Sequence, residues 1–120
     1  MRMDGKTRQT IAENVRRLRD AAGWSQSELA RRTAGTAQTT ISALEKGAKS
    51  PSADTLDDLA HALRVPVWAL FLPNMPTDAD TLRHADALVR RYLDVPDKGR
   101  QTIDTIAEAE ARYAAAVKKD

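Results

Sequence analysis

The chain has 120 residues, room for one domain or a small domain with an appendage. It contains no cysteine, which excludes disulfides and thiolate metal sites, and no apolar run approaches the ~20 residues that span a bilayer. The 19 basic and 17 acidic side chains nearly cancel, yet residues 1–49 hold 10 basic and 5 acidic groups while residues 50–120 hold 9 and 12.

The stretch from Met1 to Lys6 lacks an apolar run, does not read as a signal peptide, and is expected to be loose. A first helix follows, capped by Thr7 or by Thr10 with Glu13 three residues on. Ile11, Val15 and Leu18 repeat at i, i+4, i+7 and give it one apolar face. Gly23 closes it, and Arg16, Arg17 and Arg19 in its last turns complement the negative helix end. Ser25 and Glu28 then have the spacing of a capping box, the hydroxyl accepting from the Glu28 amide while the carboxylate reaches back to the Ser25 amide. Trp24 and Leu29 have the spacing of a hydrophobic staple. Gly35 is expected to stop this second helix in the left-handed conformation. Thr36 can cap a third helix, in which Ile41 and Leu44 form the buried stripe and Gly47 marks the end. Ala37, Gln38, Thr39, Ser42, Ala43 and Lys46 are left facing outward. Small and amide side chains with few charges are an unusual outer face for a soluble helix, and they suit the reading of base edges in a DNA major groove. The basic excess of residues 1–49 coincides with this stretch, as phosphate attraction requires, although charge alone fits merely solvated helices equally well.

Ala48-Lys49-Ser50-Pro51 is a turn. Ser52 caps a fourth helix whose Leu56, Leu59, Ala60 and Leu63 face the core, and Arg64-Val65 is a short connection. Pro66 suits the first position of a fifth helix, whose Val67, Leu70 and Phe71 would close the core, with Trp68 in the core or on its flank. Five short helices of this kind make a domain near the lower size limit for independent folding. Pro73-Asn74-Met75-Pro76 is a linker, which divides the chain into a domain at 1–73 and a helical region at 77–120. Thr77 with Asp80 opens a sixth helix carrying Leu82, Ala85, Leu88, Val89, Tyr92 and Leu93, and Pro96 breaks the chain. A last helix runs from about Lys98 to Lys118. Its Ile103, Ile106, Tyr113 and Val117 match the a/d spacing of a coiled-coil seam, with Glu110 in the missing slot. Two amphipathic helices on a short loop cannot bury both apolar faces alone. They must pack on the N-terminal domain or on another chain, so Leu82, Val89, Tyr92, Leu93, Ile103, Ile106, Tyr113 and Val117 are candidates for a dimer interface.

A spaced set of residues resembles the phage lambda Cro/CI type of helix-turn-helix, also called the Xre family. The set is Ser25-Gln26, Leu29-Ala30, Gly35, Thr40-Ile41-Ser42 and Leu44-Glu45-Lys46-Gly47, followed by Pro51-Ser52, Thr55-Leu56, Leu59-Ala60 and Ala62-Leu63. The likeness runs from about Ile11 to Leu72. One departure stands out: the family places its turn glycine five residues after the Leu of the Leu-Ala pair, whereas Leu29 to Gly35 is six. An extra residue, Thr33 or Ala34, must sit in the turn and alter the angle between its two helices. The resemblance implies an all-α protein with a five-helix lambda-repressor-like DNA-binding domain and a C-terminal pair of helices. It also implies a recognition helix at about residues 37–46.

On that reading Gln38 is the first candidate for base readout, since a glutamine can hold adenine bidentately through N6 and N7. Ala37, Thr39, Ser42 and Ala43 join it, Ala43 through a thymine methyl. Each could instead be an ordinary exposed side chain. The resemblance assigns Gln26, Thr40, Lys46 and Lys49 to the DNA backbone, contacts that position a protein without carrying sequence information. It assigns Arg19 and Glu45 to a partly buried structural pair. His61 and His84 stand alone, no cluster has metal spacing, and no Gly-rich phosphate loop occurs. Neither a metal, a cofactor nor enzyme activity is expected. The expectation is a cytoplasmic, sequence-specific DNA-binding regulator, nucleoid-associated when bound, that represses from a (pseudo)palindromic double-stranded operator as a homodimer. The alternative is an antitoxin or immunity-type regulator whose C-terminal helices hold a protein partner such as a toxin or an antirepressor. A helical adaptor with no DNA role is a further rival, favoured by the nearly neutral total charge.

Overall fold

The computed structural model describes residues 3–118, all-helical apart from connecting turns. Six α-helices run α1 Gly5–Ala21, α2 Gln26–Arg32, α3 Gln38–Glu45, α4 Ala53–Leu63, α5 Ala79–Asp94 and α6 Asp97–Lys118. The expected fifth helix is a 3-10 helix, Val67–Phe71, between α4 and α5. The expected loose N-terminal stretch is short. α1 begins at Gly5 because the Asp4 carboxylate, not Thr7 or Thr10, caps it by accepting from the Lys6 amide at 3.2 Å. Residues 1 and 2, part of that expectation, lie outside the described residues.

Three helices end in the same six-residue motif, in which one residue takes a left-handed conformation and two amides turn back onto the last carbonyls. After α1 the Gly23 amide donates to the Asp20 carbonyl at 3.0 Å and the Trp24 amide to Arg19 at 3.1 Å. Gly47 does the same for α3, with its own amide on Leu44 and that of Ala48 on Ala43. α4 uses Arg64 at φ +61°, a conformation that an L side chain adopts at a cost.

The chain divides into two compact units, at 3–84 and 85–118 among the described residues, and α5 runs through the boundary. In the first unit Ile11, Val15 and Leu18 of α1 meet Leu29 of α2, Ile41 and Leu44 of α3, and Leu56, Leu59, Ala60 and Leu63 of α4. Val65, Ala69 and Leu70 complete the floor of this core. Leu70, expected to close the core, is buried beside Ala69, whereas Val67 and Phe71, expected there too, stay at the surface at the two ends of the 3-10 helix. Trp68 packs half-buried against the core. The polar centre of the unit is Asn14, 3% exposed, whose amide donates to the carbonyls of Leu70 at 2.9 Å and Leu72 at 2.8 Å. Those carbonyls end a 3-10 helix and have no helical partner, so α1 supplies one.

The Pro73–Pro76 stretch does not end this unit. Met75 packs on the core, and Leu82, in the second turn of α5, is 1% exposed within it. Leu82 therefore leaves the set of dimer candidates, since it is already covered by its own unit. α5 is opened by Asp78, which accepts from the amides of Asp80 and Thr81, rather than by Thr77.

In the second unit, Arg100 of α6 donates to the carbonyls of Tyr92 at 3.0 Å and Leu93 at 2.7 Å, satisfying the end of α5. The Tyr92 hydroxyl donates to Asp104 at 3.2 Å. Ile103 and Tyr92 are half-buried, but Leu88, Val89, Leu93, Ile106, Tyr113 and Val117 are 48–69% exposed. Among the described residues no helix is long and apolar enough to cross a membrane.

Candidate nucleic-acid interface

The two helices at the centre of the first unit are short, and each is too brief to be stable alone. α2 starts at Ser25, whose hydroxyl accepts from the Glu28 amide at 3.0 Å. The return half of the expected capping box does not form. Glu28 instead accepts from Arg31 at 2.8 Å and Arg32 at 2.9 Å, because two guanidiniums one turn on outcompete a single amide. The Arg31 hydrogen bond first, and Arg32 with it, hold the Glu28 carboxyl below its ordinary range. Arg32, the last residue of α2, also lies 4.2 Å above the ring of Trp24, which precedes that helix, a cation–π contact.

α3 is placed by a network around Glu45, whose side chain is only 5% exposed. Arg19 of α1 grips it bidentately, Nε to one oxygen at 2.8 Å and a terminal nitrogen to the other at 2.9 Å. The remaining terminal nitrogen of Arg19 donates to the Trp24 carbonyl at 2.8 Å. Gln26, at the start of α2, adds a donor to Glu45 at 3.2 Å. The hydrogen bond to Glu45 outweighs burial and raises the Arg19 pKa. One carboxylate thus ties α1, α2 and α3 together, and the Arg19–Glu45 pairing is seen directly. The structure brings Gln26 to that pair as a brace.

Gln38 is the first residue of α3 and is exposed. Its carbonyl oxygen accepts from the Ser27 hydroxyl of α2 at 2.9 Å, a contact that engages the oxygen and not the NH2 group. Ser27 was not legible as a functional residue in the sequence, where it is one more polar residue in a helix's first turn. Ala37, Thr39 and Thr40 are exposed, Ser42 and Ala43 half-buried along one side, and Lys46 and Lys49 exposed at the far end. The structure thus presents Ala37, Gln38, Thr39, Ser42 and Ala43 on α3 and its edge, with Thr40, Lys46 and Lys49 around them. The stripe facing inward is Ile41 and Leu44, both buried.

The turn between α2 and α3 departs from the sequence expectation. α2 ends at Arg32 with Thr33 in an extended conformation, and Gly35 has no positive φ, so no left-handed glycine stops the helix. Thr36 does not cap α3, whose N-cap is Ala37 without a side-chain bond. Instead Asp58, on α4, takes the turn from outside. Its carboxylate accepts from the Ala34 amide at 2.7 Å, the Gly35 amide at 3.2 Å and the Thr36 hydroxyl at 2.7 Å. The Thr36 hydroxyl and then the Ala34 amide contribute most to holding the Asp58 carboxyl below its ordinary range. Thr33 closes the remainder, its hydroxyl accepting from the Thr36 amide at 3.0 Å.

Residues 15–67 match the family model described as Helix-turn-helix. Among solved structures the chain is similar to the hypothetical transcription factor NHTF from Neisseria, at 34% identity and a TM-score of 0.54, over 60% of this chain and 83% of that one. A comparison with curated proteins finds no match. With two short helices at the expected positions, a bidentate Arg–Glu lock beneath the second, and these similarities, the chain belongs to the Cro/CI-type, or Xre, helix-turn-helix family of DNA-binding regulators.

Proposed function

We propose that this regulator reads a specific operator through α3 and represses transcription as a homodimer. The observation that supports the reading is the outer face of α3, a run of exposed uncharged side chains on a helix that α1 and α2 hold in place through Glu45. Ser27 holds Gln38 by its carbonyl oxygen, which lowers the entropy lost when the amide meets an adenine edge. Lys46, Lys49 and Thr40 flank that face, where phosphates would run, and Gln26 stands at the start of α2 beside them.

A single recognition helix covers one half-site, and a two-fold dimer covers two about 34–36 Å apart. The exposed apolar side chains of the second unit supply a surface for such pairing, in which the same patch meets itself. Val89, Leu93, Ile106, Tyr113 and Val117 carry this role, with Tyr92 and Ile103 at its edge.

Selection of duplexes from a random pool by the intact protein, followed by competition binding, tests readout. Gln38→Ala should lower specific affinity by about 1–3 kcal/mol and leave non-specific binding nearly intact. An unchanged specificity ratio refutes the assignment of Gln38. Sedimentation of the intact chain tests assembly. A dimer at micromolar concentration that dissociates on Leu93→Glu or Ile106→Glu supports the tail as the dimer module. A chain that remains monomeric at tens of micromolar, or that sediments only with a second polypeptide, refutes it.

A further inference from the structure

Resting on the DNA-reading role of α3, we propose that Asp58 is the positioning residue that sets the angle of the recognition helix by clamping the lengthened turn before it. The turn has one residue more than the usual spacing. Its local brace is the Thr33 hydroxyl, which donates to the Ala30 carbonyl at 2.7 Å and accepts from the Thr36 amide but leaves the Ala34 and Gly35 amides without a local partner. The turn has no left-handed glycine, no side-chain cap on α3 and an extended residue at the end of α2. Its backbone amides find partners in side chains. Those of Ala34 and Gly35 donate to Asp58, and that of Thr36 to the Thr33 hydroxyl. The Thr36 hydroxyl donates to Asp58 as well, so one carboxylate fixes three consecutive residues. α4 itself is held in the core by Leu56, Leu59, Ala60 and Leu63, which makes Asp58 a rigid anchor rather than a mobile surface group. An extra turn residue that is pinned to α4 shifts the start of α3, and with it Gln38, by a defined amount. Released, the same residue adds slack between α2 and α3.

Charge and position predict opposite outcomes, which makes the proposal testable in the full chain. Removing a carboxylate from a DNA-binding unit should, by electrostatics alone, strengthen binding to any duplex. Loss of positioning should weaken binding to the selected duplex only. Asp58→Ala is therefore expected to lower affinity for the duplex selected by the wild type by roughly tenfold or more, the scale of one base contact. Affinity for a random duplex should stay level or rise slightly, and repeated selection should return a broadened motif. Asp58→Asn, which keeps one acceptor oxygen, should fall between and guards against a variant that fails to fold. Residual dipolar couplings of α2 and α3 and amide exchange at Ala34 and Gly35 report the geometry without DNA. Faster exchange with a reoriented α3 is expected. An α3 whose orientation is unchanged in both variants, or a selected motif and specificity ratio identical to wild type, overturns the proposal. If α3 reorients but the wild type itself selects no duplex over random sequence, positioning stands and the DNA-reading role falls instead.

Discussion

Glu45 is the point at which this fold can be tested most directly. Its carboxylate accepts three donors, two from Arg19 and one from Gln26, and the side chains of the pair are 5% and 12% exposed. Glu45→Ala removes every one of these acceptors at once. Arg19 keeps the Trp24 carbonyl and a 3.4 Å approach to the exposed Asp20, so its charge is not wholly stranded. Breaking a fully buried pair costs about 3–5 kcal/mol, and the residual partners place Glu45→Ala at about 3 kcal/mol. Arg19→Ala should cost about the same or somewhat more, because the deeper carboxylate then keeps only Gln26. The double variant strands no charge, so its loss should fall short of the summed single losses by about 2 kcal/mol. Urea unfolding followed by tryptophan fluorescence suits the measurement, since Trp24 and Trp68 both lie in the first unit and are the chain's 2 tryptophans. Additivity within about 0.5 kcal/mol would show that the two residues do not interact and that this pair does not join α1 to α3.

Other outcomes follow from the same geometry. Asn14→Ala leaves the Leu70 and Leu72 carbonyls without their donor and should cost about 2–3 kcal/mol in urea unfolding, whereas a cost below about 0.5 kcal/mol would mean that water replaces the amide. Arg64→Gly relieves a left-handed φ at the end of α4 and should stabilise the first unit by about 0.5–1 kcal/mol; a loss would show that the Arg64 side chain contributes more than its backbone strain costs. Lys46→Ala should weaken binding to all duplexes alike and flatten the salt slope by about one unit, and a sequence-dependent loss would move Lys46 from the backbone to the bases. The folded-state pKa of Asp58 is depressed, so its contribution to stability is complete above the unfolded value of about 3.9 and lost as pH falls through the folded value. Acid titration of Asp58→Asn by circular dichroism should therefore show a shallower loss of stability below about pH 4 than the wild type, and parallel curves would remove Asp58 from the acid response.

The sequence by itself determined the helical pattern of residues 11–63, because its determinants are local. The apolar spacing of Ile11, Val15 and Leu18 and of Ile41 and Leu44 states which face is inward. The Ser25 and Ser52 caps and the Gly23 and Gly47 ends are properties of a few neighbouring residues, and each stands where expected. The Arg19–Glu45 contact, 26 residues apart, was legible only through likeness to a family. Tertiary structure decided the rest wherever a group had more than one available partner. Gly35 could have turned left-handed, but a carboxylate from α4 offered its amide a hydrogen bond in another conformation. The spacing of Leu82 from Val89 and Leu93 marks all three as apolar without saying what covers them. Leu82 lies close enough to the first core to be buried there, and Val89 and Leu93 remain exposed. Asp58 and Asn14 carry no sequence signal, since a lone polar residue on a helix announces neither its burial nor the distant backbone it will bind.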